Sequence, residues 1–253
     1  MTILSVNLNK IAVLRNSRGE HEPSLLRAAA CVIDAGARGI TLHPRPDQRH
    51  VRPDDVRRIG EFLASMPGIE LNIEGNGFAS ARGDHPGLLR LVQECGATQC
   101  TLVPDGDAQI TSDHGFNLIA DAPRLRSLIK ELRDGGARVS LFIDAGCEHV
   151  EIAADLGAQR VELYTGPYAK AYAAGDADVA LRLCIETARR AREAGISVNA
   201  GHDLNQDNLP RLLAAIPWIA EVSIGHALIG EALYDGLERT VRNYQEIVAA
   251  PSR

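Results

Sequence analysis

Ala35-Gly36-Ala37-Arg38-Gly39-Ile40-Thr41-Leu42-His43-Pro44-Arg45-Pro46-Asp47-Gln48-Arg49-His50 holds one whole structural unit of the chain. A stretch with helical apolar spacing, Leu25–Ala35, ends at Ala35-Gly36-Ala37, and glycine there suits the left-handed residue that closes a helix. The apolar run Ile40 to Leu42 then reads as a buried strand. Two prolines stop it, because proline cannot continue a central strand. His43, Arg45, Arg49 and His50 follow at once. Imidazole moves protons near neutral pH, and guanidinium grips phosphate or carboxylate through a rigid fork of donors. A strand that ends in both suggests acid–base chemistry on an anionic substrate. Taken alone, the segment is equally well a solvated basic loop.

The unit repeats. Strand-like runs recur at Leu4–Leu8, Gly39–His43, Ile69–Glu74, Gln99–Val103, Arg138–Asp144, Arg160–Tyr164, Ile196–Ala200 and Glu221–Gly225. Helical spacing fills the intervals at Leu25–Ala35, Val56–Ala64, Leu88–Cys95, Leu125–Leu132, Val150–Leu156, Val179–Ala194, Leu209–Ile216 and Leu228–Ile247. The glycine joint recurs at Gly96, Gly136, Gly157 and Gly195, each between a helix and the next strand. Strict strand–helix alternation implies a parallel sheet, and eight such units imply a closed (β/α)8 TIM barrel. An open doubly wound sheet is the alternative, weakened by the lack of Gly-x-Gly-x-x-Gly after the first strand. Two segments, Lys10–Glu22 and Tyr164–Asp178, exceed what a minimal barrel needs and are expected to carry function or a lid. With no dividing linker, residues 1–253 read as a single domain.

Composition narrows the class of function. A net charge of −6 disfavours nonspecific binding to nucleic acid or anionic membrane, so any basic site must be local. Aromatic residues at 4% argue against a stacking platform for single strands. Five cysteines without framework spacing suggest reduced thiols and a cytoplasmic protein. There is no signal-peptide pattern and no run long enough to span a membrane.

In a barrel the active site lies at the carboxyl ends of the strands. Those ends here supply Asn7, Asn9 and Lys10, with Arg15 and Arg18 beyond; His43, Arg45, Arg49 and His50; Glu74; Asp105 and Thr111; Asp144; Glu162, Tyr164 and Thr165; His202 and Asp203; and Gly225 and His226. Glu70, Asn72 and Glu74 share one face of the third strand by its period of two, and the glutamates are equally suited to pair with barrel arginines. Ser223–Ala227 and Asn199–Asp203 each read as a strand running straight into a helix, where free N–H groups would hold a phosphate. Arg45 and His50, with Lys10 nearby, offer a second anion site. Two anion sites flanking His43, a carboxylate and His202 imply two phosphorylated substrates joined by proton transfers. His43, His202, Glu74 and Asp144 are also of metal-ligating type, although none shows the His-x-x-x-His spacing of a metal-binding helix.

The chain resembles the pyridoxine 5′-phosphate synthase family. The matching stretches are Val6–Lys10, Leu14–Gly19, Gly39–Arg45 with Arg49-His50, Leu102–Pro104, Val139–Asp144, Val198–His202 and Ile224–Ala227. The resemblance implies a (β/α)8 barrel with extra helices in the βα loops, assembled as a homo-octamer of dimers. It implies condensation of 1-deoxy-D-xylulose 5-phosphate with 3-amino-2-oxopropyl phosphate to pyridoxine 5′-phosphate, with no cofactor and no metal. By the same resemblance His43 is the first general base and His202 the general acid. The glutamate base lies in an Asn-apolar-Glu motif, here Asn72-Ile73-Glu74; a gapless count selects Glu70, but Glu74 is nearer the strand's carboxyl end. Arg45, His50 and Thr111 match contacts to the sugar phosphate, and Asn7, Arg18, Gly225 and His226 match contacts to the amino ketone phosphate. Asn9, Lys10 and Asp203 are counted with the substrate-binding set, but they depart from the family pattern: some members have Asp-His at the first pair and glycine at the last position. Two other readings stand beside this one: a metal-dependent sugar-phosphate aldolase or epimerase, and a non-catalytic phosphate-ligand binder.

Overall fold

The computed structural model describes residues 2–250; Met1 and Pro251 to Arg253, the ends of the expected 1–253 domain, lie outside the described residues. Strands β1 (Ile3–Asn7), β2 (Gly39–Leu42), β3 (Glu70–Gly75), β4 (Gln99–Leu102), β5 (Arg138–Asp144), β6 (Arg160–Tyr164), β7 (Ser197–Gly201) and β8 (Ile219–Ile224) form a closed barrel in chain order. Every pair is parallel, and β8 returns to β1 with Ser223 opposite Ser5. The helices are α1 (Asn9–Asn16), α2 (Leu25–Asp34), α3 (Pro53–Leu63), α4 (Leu88–Glu94), α5 (Leu118–Asp134), α6 (Glu151–Asp155), α7 (Gly166–Ala173), α8 (Asp178–Glu193), α9 (Leu209–Ala215), α10 (His226–Asp235) and α11 (Leu237–Ala249).

All five glycine joints take positive φ, from +57° at Gly96 to +107° at Gly36, as the repeated helix–strand turn requires. The two long loops fold into the short helices α1 and α7, which are the extra helices of this barrel. Two helix expectations change. The last helix, read as Leu228–Ile247, is two helices, because Gly236 at φ +84° breaks it. The helix read from Leu125 begins at Leu118, where Asn117 accepts the N–H of Ala120; Pro123 sits within it on an exposed turn rather than bounding it.

The strands alternate sharply. Leu4, Val6, Ile40, Leu42, Leu71, Ile73, Val161 and Leu163 point outward and bury themselves under the helices. The inner face is polar, unlike the branched apolar filling usual for such barrels. Its middle layer is a run of short hydrogen bonds: Ser5 to Thr41 at 2.7 Å, Asn72 to Thr41 at 3.4 Å and Thr101 to Asn72 at 3.0 Å. Below it, at the amino ends of the strands, Arg138 pairs with Glu70, Arg160 pairs with Glu221 at 2.9 Å, and Gln99 reaches across the lumen to Glu221 at 3.3 Å. This ionic floor closes the barrel beneath the site.

Removing one member of a buried pair leaves the other charged and unpaired. Glu221→Ala is therefore expected to lower the unfolding free energy by about 3–5 kcal/mol, measured by urea denaturation.

Candidate active site

Above the polar layer a cavity of about 340 Å³ opens at the carboxyl ends of the strands. Asn7, Asn9 and Lys10 reach it from β1 and the start of α1. His43, Arg45 and His50 come from beyond β2, and Glu74 from β3. Ile110, Thr111 and Ser112 enter from the long β4–α5 connection, His202 and Asp203 from beyond β7, and Gly225 and His226 from the β8–α10 turn. Every residue counted as catalytic or substrate-binding from the family resemblance, except Arg18, thus lines one cavity. Arg18 is exposed beyond the end of α1 and is not part of the lining.

Glu74 is the cavity carboxyl. Glu70 lies on the same face of β3 but belongs to the ionic floor with Arg138. Asn7 Nδ2 donates to Glu74 Oε2 at 3.3 Å, and Asn7 Oδ1 accepts from the backbone of Asn9 at 2.9 Å. Asn9 Oδ1 in turn accepts the backbone N–H of His43 at 3.0 Å, so the two asparagines tie the end of β1 to the end of β2. His43 Nδ1 lies 3.9 Å from Glu74 Oε2.

Burial sets the proton states. Desolvation, reinforced by the neighbouring Arg45 and Arg49, pushes His43 down to about 3, so its imidazole is neutral at physiological pH and its carboxylate contacts are not ion pairs. Desolvation, with repulsion from the charge of Arg45, pushes His50 down to about 3 as well. Desolvation raises Glu74 to about 8, and Asp105 and Glu221 add repulsion. Glu162, buried in the lumen below, is also raised well above the usual carboxyl range by desolvation and by Glu74 and Glu221. The site at rest is therefore a neutral imidazole beside a protonated carboxyl.

Sequence reading passed over the residues that organise this chemistry from the β4–α5 connection. Asp105 was visible at a strand end but was not counted in the site. Its carboxylate takes the guanidinium of Arg45, accepts from Ser112 at 2.9 Å and lies 3.5 Å from His43 Nε2. Arg45 also donates to the carbonyl of Gln109 at 2.7 Å, and Arg49 donates to the same carbonyl at 2.8 Å. The two guanidiniums thus clamp the β4–α5 connection over the cavity. His85, buried and far along the chain, contacts the carbonyl of Pro44 at 3.1 Å and accepts from Gly87 N–H at 3.2 Å, pinning the turn that carries His43.

One expectation is corrected. The turn after β7 does not run into a helix; α9 starts only at Leu209, and His202 and Asp203 take positive φ in between. The β8 turn does run into α10, with Gly225 packed so closely on Asn7 that an added Cβ would lie 3.0 Å from it. Of the four side chains of metal-ligating type, His43, Glu74 and His202 line the cavity and Asp144 does not. Asp144 sits at the exposed end of β5 and accepts the N–H of Gly115, and among the described residues no three His, Cys, Asp or Glu side chains form a metal-holding group.

The family model described as "Pyridoxal phosphate biosynthesis protein PdxJ" matches residues 4–250. The chain belongs to this family. A relative from Xanthomonas axonopodis pv. citri, named pyridoxine 5′-phosphate synthase, is 58% identical over 247 residues, covering 98% of this chain and 96% of that one. One from Xylella fastidiosa with the same name is 57% identical, covering 98% and 95%. Solved structures of Mycobacterium tuberculosis tryptophan synthase (TM-score 0.65, 14% identity, 99% and 93% covered) and of Vibrio cholerae 3-keto-L-gulonate-6-phosphate decarboxylase (TM-score 0.63, 13% identity, 98% and 97% covered) share the fold. Family membership accounts for the co-location of residues so far apart in sequence.

The raised carboxyl has a thermodynamic signature. Unfolded, a glutamate releases its proton near pH 4.3, whereas folded Glu74 keeps it until about pH 8, so this group lowers stability progressively as pH rises between those values. Glu74→Gln is expected to gain stability over the parent protein by more than about 1 kcal/mol between about pH 5 and 8 while losing activity. Glu70→Gln, which disturbs only the ionic floor, is expected to keep most of its turnover. Denaturant curves at several pH values, with parallel assays, check both.

Proposed function

We propose that this chain is a pyridoxine 5′-phosphate synthase, condensing 1-deoxy-D-xylulose 5-phosphate with 3-amino-2-oxopropyl phosphate. The observation that carries the reading is that one cavity holds the neutral His43, the proton-bearing Glu74 and His202 together with two groups suited to anions. Arg45, His50 and Thr111 would take the sugar phosphate; Asn7, Gly225 and His226, at the N-terminus of α10, would take the amino ketone phosphate. Lys10, with Asn9, adds a flexible cation at the rim.

The amine of one substrate attacks the ketone of the other and expels water, leaving a Schiff base. Ring closure and aromatisation then release inorganic phosphate and a second water, which balances the atoms of pyridoxine 5′-phosphate. These steps need several proton removals. His43 is a ready base because it is neutral. Glu74 starts protonated; a protonated imine beside it would favour its ionised form, releasing that proton and freeing the carboxylate to act as a base. His202, hydrogen-bonded at 2.9 Å to Thr111 from the β4–α5 connection, returns protons to the departing oxygens. Holding both substrates in one cavity removes the bimolecular entropy cost.

Residues 1–253 act here as one barrel domain without a cofactor, in the cytoplasm, with self-association to a homo-octamer; sizing by light scattering tests the assembly. Arg18, outside the cavity, stays in the reading only as a phosphate contact that would need the end of α1 to move. Mixing both substrates with the purified protein is expected to give pyridoxine 5′-phosphate by absorbance and mass. His202→Ala is expected to lose about 10²–10⁴-fold in turnover while both substrates still bind. No product from the parent protein, or full turnover by the variant, overturns the reading.

A further inference from the structure

The turn that ends β7 carries two consecutive non-glycine residues in the left-handed region, His202 at φ +83° and Asp203 at φ +59°. Such residues persist where surrounding contacts over-determine them. Here Thr165 Oγ1 lies 2.6 Å from the carbonyls of both Gly201 and His202, and Asn208 Nδ2 donates to the carbonyl of Asp203 at 3.1 Å. The carboxyl of Glu162 fills the space that a side chain at Gly201 would need. The result is a hairpin of the chain that turns the Asp203 carboxylate back onto the ring before it, with Oδ2 3.0 Å from His202 Nδ1. The other ring nitrogen, Nε2, faces Thr111 on the cavity side.

A carboxylate only accepts hydrogen bonds, so Nδ1 must carry the ring proton and Nε2 is left free to exchange one. We propose that Asp203 is a positioning residue for His202, fixing the tautomer that presents Nε2 to the substrate and offsetting the charge of the imidazolium. The proposal rests on the reading of His202 as the general acid and gives Asp203 a role through that ring rather than on substrate. The hydrogen bond from His202 is also what chiefly holds the Asp203 carboxyl below the usual carboxylate range. Other charged or titratable groups surround the pair. Lys10 and His226 act on Asp203 from α1 and α10, Tyr164 meets the His202 ring edge-on at 5.1 Å, and Asp113 and Asp144 act on Tyr164. Among the described residues Asp203 is the hydrogen-bond partner of Nδ1.

Asp203→Gly separates function from fold, because glycine relieves the positive φ. It is expected to melt no lower than the parent protein and to lose about tenfold in kcat with little change in KM. Nitrogen chemical shifts of the His202 ring, assigned by their loss in His202→Gln, are expected to change from an Nδ1–H tautomer to a mixture. Asp203→Asn keeps an acceptor oxygen without the charge, so it is expected to keep the tautomer. A raised KM with kcat and tautomer both unchanged would make Asp203 a plain substrate contact and overturn the proposal. If His202→Gln itself stays fully active, the general-acid reading falls, and the tautomer shift still decides whether Asp203 governs the ring.

Discussion

A polar lumen ringed by strands and floored by ion pairs is the constraint from which the rest follows. Eight parallel strands with apolar outer faces and polar inner faces force Glu74, Glu162 and Glu221 into a space that water reaches poorly. Carboxyl groups so placed cannot all ionise, because desolvation and mutual repulsion act together. Arg160 and Arg138 offset the lowest of them from the floor. Higher in the lumen, desolvation keeps the proton on Glu74 and raises Glu162 well above the usual carboxyl range. The barrel thereby supplies a proton-bearing carboxyl at neutral pH under the mouth of the cavity, without any special residue type.

The same burial acts in the opposite sense on His43. A carboxyl held neutral and an imidazole held neutral sit 3.9 Å apart without an ion pair to lock them. Each is then free to respond to charge brought in by a substrate, which is what a sequence of proton transfers requires. Asp105 keeps Arg45 and His43 in register at the cost of engaging the guanidinium expected to hold a phosphate. An incoming phosphate dianion would compete for that guanidinium, and the β4–α5 connection, clamped by Arg45 and Arg49, would feel the exchange.

Much of this was legible in the residues. The joints from Gly36 to Gly195 announced a repeated unit because a left-handed turn tolerates few other residues. The period-two pattern of Glu70-Leu71-Asn72-Ile73-Glu74 announced a strand with one polar face, and the placement of His43 and His202 at strand ends announced a shared mouth. Local rules failed where a tertiary partner intervened. The helix read from Leu125 began at Leu118, where Asn117 caps its first turn. Asn199–Asp203 did not enter a helix because Thr165 and Asn208 hold its backbone in another shape. Asp105 and His85 carried no local signal, since their importance lies in partners 60 and 41 residues away.

By itself the sequence determined the barrel, the residue types at its mouth and the family, because alternation, glycine turns and motifs are properties of neighbouring residues. Only the tertiary structure decided between Glu70 and Glu74, which share a face of one strand and differ by where that face stands along the barrel axis. It alone decided which groups hold their protons and which ring nitrogen of His202 faces the cavity. Those properties depend on desolvation and on distances between segments remote in the chain, and neither exists until the strands close.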